Sequence, residues 1–267
     1  MIEALREIIS DHIKYWKQIF RLAKSDMKKG HSGSTLGWAW EFASPAVRIA
    51  VYVFAFSIGL RQNQPIGEFS YFYWLLAGII VWFFAQKTYV GGAGCIKKYK
   101  FLVTKIKFPV SLIPSFTSLA QLFVHMIIVG IIMVIFVIGG HFPTLYWLQL
   151  PVYMLVNFLF ACSWGLFAGV LSTMSKDFQE LIRSTSMAIF WLSGIFFSFE
   201  QMPMWVQIIL NLNPVAVVVR GYRNSLITDV WFWNDPWLLE CLIVYAILTL
   251  VAVKLYKKLG KELPDVL

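Results

Sequence analysis

Residues 112–138 read LIPSFTSLAQLFVHMIIVGIIMVIFVI, a run of 27 residues without one Asp, Glu, Lys or Arg. About 20 such residues in a helix cross the ~30 Å hydrocarbon layer of a bilayer. A soluble core of this size would not need so long an uninterrupted apolar run. Working outward, similar runs lie near 38–60, 69–90, 145–173, 181–199 and 237–256. The whole chain of 267 residues is 59% apolar and 14% charged, against roughly a quarter charged in an ordinary soluble domain. The expectation is an all-α integral membrane protein of six transmembrane helices, with residues 37–267 as one membrane domain.

Residues 1–36 differ. Leu5, Ile9, Ile13, Trp16, Phe20 and Ala23 recur at helical spacing, and Lys14, Lys17, Arg21, Lys24 and Lys28 form a second stripe. An apolar face with Trp and Phe beside a Lys/Arg face is the pattern of an amphipathic helix lying in the membrane interface. The same pattern also fits a solvated helix packed on a soluble partner. A small-residue hinge, Gly30–Gly37, leads into the first span, where Pro45 predicts a bend. No cleavable leader is legible, so the first span is expected to act as its own insertion signal. Gly91–Gly94 (GGAG) reads as a helix break after the second span, and Lys176, Asp177 and Glu180 read as a short charged loop.

Between Glu200 and Pro236 the pattern fails. Met204–Leu210 and Val215–Val219 are apolar but far too short to span, and Asn211, Asn213 and Pro214 separate them. Two half-length pieces meeting at a polar break predict a re-entrant hairpin before the last span. Two helices lying in the outer headgroups remain the other reading. Irregular backbone at membrane depth is tolerated only where protein or water surrounds it.

The net charge of +9 would suggest nucleic acid in a soluble protein. Here its placement explains it: segments 1–37, 91–111, 174–183 and 254–267 hold most of the Lys and Arg, while the alternate loops hold only Arg61, Arg220 and Arg223. By the positive-inside rule both termini are cytoplasmic. Trp38, Tyr71, Trp147, Trp231 and Trp237 near the span ends fit aromatic belts. Cys95, Cys162 and Cys241 are odd in number and without metal or disulfide spacing.

No phosphate loop, metal-ligand cluster or nucleophile elbow is present. Asp177 and Glu180 sit beside Lys176 and Arg183 and read as an ion-pair network rather than a metal site. The expectation is a non-enzyme with no catalytic residue, no metal and no cofactor of its own. Charges inside spans cost at least ~2.5 kcal/mol and draw attention for that reason. Arg48 lies deep in the first span, two turns from Glu41, too far for a direct pair along one helix. Lys87 and Arg183 lie near cytoplasmic span ends.

Several segments together carry a family resemblance: Leu36-Gly37-Trp38-x-Trp40 with Pro45, Leu76-Ala77-Gly78 with Trp82-Phe83-Phe84, Lys105-x-x-Phe108-Pro109 with Pro114-Ser115, Leu212-Asn213-Pro214, and Gly221-Tyr222-Arg223-Asn224-Ser225. In this order the chain resembles, over nearly its whole length, the transmembrane subunit of ABC-2-type polysaccharide exporters, most closely the teichoic acid translocation permeases of Gram-positive bacteria. The resemblance implies two copies of the chain on two separate ATPase subunits, which hold the ATP and Mg²⁺. It implies ATPase-coupling contacts at Lys97, Lys98, Lys100, Phe101, Lys105, Phe108 and Pro109, and a second set at Asp177, Phe178 and Glu180. It places the pathway and its lateral gate on spans 1 and 5, where Trp40, Tyr52, Trp191 and Phe197 offer aromatic faces. Asn213, Pro214 and Arg223 would shape its outer end. The implied cargo is a polymer joined through diphosphate to a polyprenyl lipid in a bacterial plasma membrane; Arg183, Lys87 and Arg48 are the basic groups placed to hold the diphosphate. A stand-alone lipid scramblase or secondary carrier, using Arg48 and Glu41 as polar lining, is the competing expectation; no internal repeat supports it.

Overall fold

The computed structural model describes residues 2–29, 33–59, 69–106, 108–200 and 202–267. The expected loop over 61–68, the hinge residues 30–32 and Lys107 lie outside the described residues. The helices are α1 (Ile2–Lys14), α2 (Trp16–Lys29), α3 (Trp40–Val53), α4 (Tyr71–Lys98), α5 (Lys100–Thr104), α6 (Leu112–Ile138), α7 (Leu150–Met174), α8 (Lys176–Trp191), α9 (Met204–Asn211), α10 (Pro214–Leu226), α11 (Pro236–Leu259) and α12 (Leu263–Val266). The protein is an all-α membrane protein. Five helical stretches are long and apolar enough to cross a bilayer: Gly37–Phe56, Tyr71–Lys98, Leu112–Ile138, Leu145–Met174 and Pro236–Leu259. A sixth crossing is reached if α9 and α10 count as one broken span; they meet at a bend of 100°.

α4 is the hub. It is apolar on every side, as a helix surrounded by others must be, and it is buried by α6, α7, α8 and α10. Its glycines explain the first departure from the sequence reading. Gly91–Gly94 do not end a helix: α4 runs unbroken to Lys98. A Cβ on Gly92 would lie 3.1 Å from the Gly165 Cα of α7, and one on Gly165 would lie 2.9 Å from the Pro114 Cβ of α6. The glycines let three backbones approach, the usual use of small residues where lipid supplies no hydrophobic drive.

Both termini lie at one end of the bundle, with α5 between them. His12 Nε2 lies 2.7 Å from the Ser115 hydroxyl of α6, and α12 packs on α5 with Leu263 fully buried. The N-terminal segment is two helices rather than one, interrupted only at Tyr15, whose backbone still bonds to Asp11 and Ile19. Its apolar stripe divides. Ala23 packs inward with Ile19, while Ile9, Ile13, Trp16 and Phe20 are each at least half exposed. That outward strip beside a basic face suits the interface.

The fifth expected span is where the fold departs most. Lys176, Asp177 and Glu180 are not a loop but the first turns of α8, capped by the Ser175 hydroxyl, which accepts from the Phe178 N–H. Asp177 in that first turn complements the helix dipole. α8 then stops at Trp191 after 16 residues, about 24 Å, and residues 192–199 continue without regular helix. Gly194 takes φ +66°, a left-handed conformation that a Cβ would disfavour.

Candidate functional site

The irregular stretch after α8 is held by Arg223, with Tyr71 donating to the Phe196 carbonyl at 3.2 Å and Asn213 reaching Ser193. Arg223 of α10 is buried, and its guanidinium donates to the carbonyl oxygens of Gly194 (2.7 Å), Ile195 (2.8 Å) and Trp74 (3.3 Å). Carbonyls released by the break in helix are thereby satisfied inside protein, which is the condition for such backbone at membrane depth. The guanidinium also lies over the Trp74 ring, 3.2 Å from its centre. Room for it comes from Gly78: a Cβ there would sit 2.6 Å from Nη2. The Leu76-Ala77-Gly78 and Gly221-Tyr222-Arg223 segments, distant in sequence, are thus two halves of one contact.

α10 runs antiparallel to α4, with Val219 and Arg223 beside Gly78 and the Trp74 carbonyl. At 1.5 Å per residue, Pro214 begins roughly 18 Å below Leu226, so the α9–α10 break lies inside the bundle. Asn213 caps α10 by accepting from the Val215 N–H at 3.1 Å, and its amide donates to the Ser193 hydroxyl at 2.9 Å. The polar break and the irregular stretch therefore touch. Arg220 donates to Asn211 of α9 (2.5 Å) and to Asp235 at the head of the last span (3.3 Å).

α3 forms a seam with α4 and α8. Glu41 pairs with Lys87, and the Arg48 guanidinium donates to the Gln86 side chain at 2.8 Å. The two α3 charges do not meet each other; each bonds to α4. Arg48 also lines a cavity of about 580 Å³ with Ser34, Trp40, Ser44 and Val47, and the Trp40 indole N–H donates to the Ser34 hydroxyl at 2.9 Å. Farther along, Tyr52 packs against Phe190 and Phe196, and Trp191 against Phe196, with ring centres 4.9–5.6 Å apart. Phe197 turns away to Phe199. Tyr52 and Trp191 thus meet at Phe196, Trp40 lies at the Arg48 cavity of α3, and Phe197 stands apart. Arg183 lies on the exposed face of α8, paired with Glu180 at 2.8 Å, and no contact brings it to Lys87 or Arg48 among the described residues.

At the end that carries the termini, Lys97 and Lys98 close α4, and Lys100 and Phe101 open α5. Lys98, Lys100, Phe101, Lys105 and Ile106 are exposed, whereas Tyr99, Leu102 and Val103 are buried beneath them. The result is a basic and apolar knob on a fixed base. Two contacts grip that base. The Asp26 carboxylate of α2 accepts from Lys98 at 2.7 Å and from the Tyr99 hydroxyl. At the other end, Tyr15 packs edge-on against Phe108 at 6.0 Å. Burial first, and then the Asp26 carboxylate, hold the Tyr99 phenol well above its ordinary pKa, so it stays a donor. Lys97 donates to the Gln179 side-chain oxygen Oε1 at 3.3 Å and so links the knob to the start of α8, where Phe178 packs on Phe167 and Asp177 is exposed. Pro109, half-buried, leads into α6. Sequence reading missed Asp26, Tyr99, Gln86 and Gln179. Asp26 had one signal, a lone acid in a helix whose other charges are basic.

Residues 17–227 match the family model described as ABC-2 type transporter. An O-antigen export system permease protein of Myxococcus xanthus is 24% identical over 225 residues, covering 84% of each chain. A protein of the same description from Klebsiella pneumoniae is 21% identical over 247 residues, 92% of this chain and 93% of that one. A polysialic acid transport protein of Escherichia coli is 20% identical over 225 residues, 83% of this chain and 85% of that one. The chain belongs to the ABC-2 type transporter family and is a transmembrane transport subunit, not an enzyme.

Proposed function

We propose that this ABC-2 permease is the membrane half of an ATP-driven exporter for a polyprenyl-diphosphate-linked surface polysaccharide. Wall teichoic acid crossing a Gram-positive plasma membrane is the cargo of first choice. The family match carries the transport role. The relatives named for O-antigen export and polysialic acid transport support a long saccharide cargo. The choice of teichoic acid rests on the sequence resemblance that the ordered motifs carry together.

The complex would hold two copies of this chain and two ATPase subunits, with ATP and Mg²⁺ on the latter. The Lys/Arg distribution puts both termini and α5 in the cytoplasm. ATP-driven closure of the partner would press on the α5 knob, on Phe108 and on the Asp177–Glu180 turn. Asp26 and Gln179 would pass that push to α2 and α8. The α3–α8 seam would then part, with Trp40, Tyr52 and Trp191 along it and Arg48, Lys87 and Arg183 attracting the diphosphate by charge. Residues 1–36 would act as the interfacial lever and 37–267 as the translocating domain.

The single observation that carries this reading is the exposed basic knob on a buried, doubly gripped base within an ABC-2 chain. Co-expression with candidate ATPase subunits and mass measurement in mild detergent tests it. A two-plus-two assembly that hydrolyses ATP is the expected result. A chain that stays alone yet moves lipid in vesicles without ATP would favour a scramblase or carrier instead.

A further inference from the structure

At the end of the bundle opposite the termini, a cavity of about 590 Å³ opens between two helix C-termini. α6 ends with the His141 N–H bonded to the Phe136 carbonyl and the Gly140 N–H to that of Val137, with Gly140 at φ +87°. That geometry turns the chain sharply at a helix end. α10 ends nearby, where the Ile227 and Thr228 N–H groups both return to the Arg223 carbonyl. Beyond them Asp229 adopts φ +52°, the one described non-glycine residue in that region of backbone space. The Thr144 hydroxyl donates to Asp229 Oδ1 at 3.1 Å and joins the two ends.

The side-chain polar lining is mostly acceptors, set beside the ring N–H groups of His141 and Trp147. The Thr144 hydroxyl donates its hydrogen bond to Asp229, and the Thr228 hydroxyl donates to the Asn224 side chain at 3.1 Å. What both hydroxyls present to the cavity is lone pairs. Asp229 Oδ2 is a further acceptor. Two helix C-termini add the negative ends of their dipoles. Such a lining repels phosphate and carboxylate and asks for a ligand rich in hydrogen-bond donors. The walls are aromatic: Phe69 stacks on His141 with ring centres 4.1 Å apart, and Phe142 is 72% exposed. An ammonium cage needs several open ring faces around one point. Here the Phe69 and His141 faces are spent on each other, so Phe142 supplies the exposed ring. One flat apolar face with converging acceptors matches a sugar ring, whose hydroxyls donate at its edge and whose C–H groups cover the aromatic surface. The volume is that of an ordinary ligand pocket and exceeds one ring.

We propose that this cavity, built on Phe142, Thr144, Thr228 and Asp229, binds a neutral saccharide or polyol unit at the outer face. As a station for the polymer leaving the membrane, it rests on the exporter reading and its orientation; as a binding site it does not. A glycolipid headgroup presents the same chemistry.

The test uses the full chain in phosphatidylcholine nanodiscs. Neutral hexose and N-acetylhexosamine trisaccharides are titrated while Trp147, which lines the same cavity, reports by fluorescence, and saturation-transfer NMR reports on the sugar. Expected are saturable millimolar binding and at least a tenfold loss in Asp229→Asn. Asn tolerates the left-handed backbone and can still accept from Thr144, but it replaces an acceptor by a donor. Phe142→Ala should weaken binding similarly, with unfolding temperature unchanged. A second arm places a glycosyl lipid in the nanodisc: competition between lipid and free trisaccharide assigns both sources to one site, and occupancy by the lipid alone assigns a headgroup. The proposal is overturned by no saturable saccharide binding in either arm, by equal affinity in Asp229→Asn, or by preferential binding of choline. Failure here leaves ATPase assembly untouched, whereas failure to assemble with an ATPase leaves this binding measurable.

Discussion

Replacing Gly78 by Ala adds one methyl group and should unseat Arg223. The new Cβ would stand 2.6 Å from Nη2 and 3.2 Å from Cζ. To reach an ordinary contact of 3.4 Å the guanidinium tip must withdraw by about 0.8 Å. Its bonds to Gly194 and Ile195, now 2.7 and 2.8 Å, then stretch toward 3.5 Å, and the 3.3 Å bond to Trp74 is lost. Hydrogen bonds to a charged group are worth about 1.5–3 kcal/mol each. Losing one and weakening the other two costs about 2–4 kcal/mol, offset by about 1 kcal/mol of improved helix propensity for Ala over Gly. The net destabilisation of about 1–3 kcal/mol corresponds to roughly 3–10 °C in a chain of this size. Thermal unfolding in detergent, followed by thiol-reactive dye at the buried Cys95 and Cys241, measures it. Gly130→Ala is the control, because nothing lies within 4 Å of a Cβ there. In an Arg223→Met background the Gly78→Ala penalty should shrink, since the two changes remove one interaction. A Gly78→Ala protein that melts within 1 °C of wild type, or additive changes in the double variant, would refute the view that Arg223 pins the stretch after α8 through the space Gly78 provides.

Other outcomes follow from the same geometry. Asp26→Ala should leave assembly with an ATPase intact but lower transport per ATP hydrolysed several-fold in reconstituted vesicles; an unchanged ratio would remove Asp26 from the coupling route. Tyr99→Phe, which keeps the ring packing and deletes only the hydroxyl, should give a smaller loss in the same assay. Phe108→Asp should uncouple ATP hydrolysis from transport without altering the far-ultraviolet spectrum, and normal transport by the folded variant would count against the docking role of this knob. Raising salt from about 0.05 to 0.5 M should weaken binding of the ATPase subunit, because the knob's lysines are exposed to screening; a salt-independent interface would mean that its apolar residues dominate. Gly165→Ala should lower the unfolding temperature, its Cβ falling 2.9 Å from Pro114, and normal melting would show that α6 and α7 can separate freely.

Hydrophobic run length was enough to read this chain as a helical membrane protein with a broken apolar segment before the last span. Those features depend on transfer from water to lipid, which each segment settles by its own composition. The irregular stretch at 192–199 was not legible, because its apolar residues look like a span; it departs from helix where a distant arginine takes its carbonyls. Gly91–Gly94 read as a break for the same reason: glycine is permissive in isolation, and only the neighbouring backbones of α6 and α7 decide whether it ends a helix or packs one. Arg48 and Glu41 looked too far apart along α3 to be paired, and so they are; their partners Gln86 and Lys87 come from α4. The same holds for Asp26 with Tyr99, and for Thr144 with Asp229. Composition alone marks out the long apolar helices, such as Leu112–Ile138 and Pro236–Leu259, that water would solvate poorly. Which buried polar groups meet depends on the packing, because a polar group in an apolar interior is stabilised by a partner, and helix packing rather than nearness in the chain brings that partner to it.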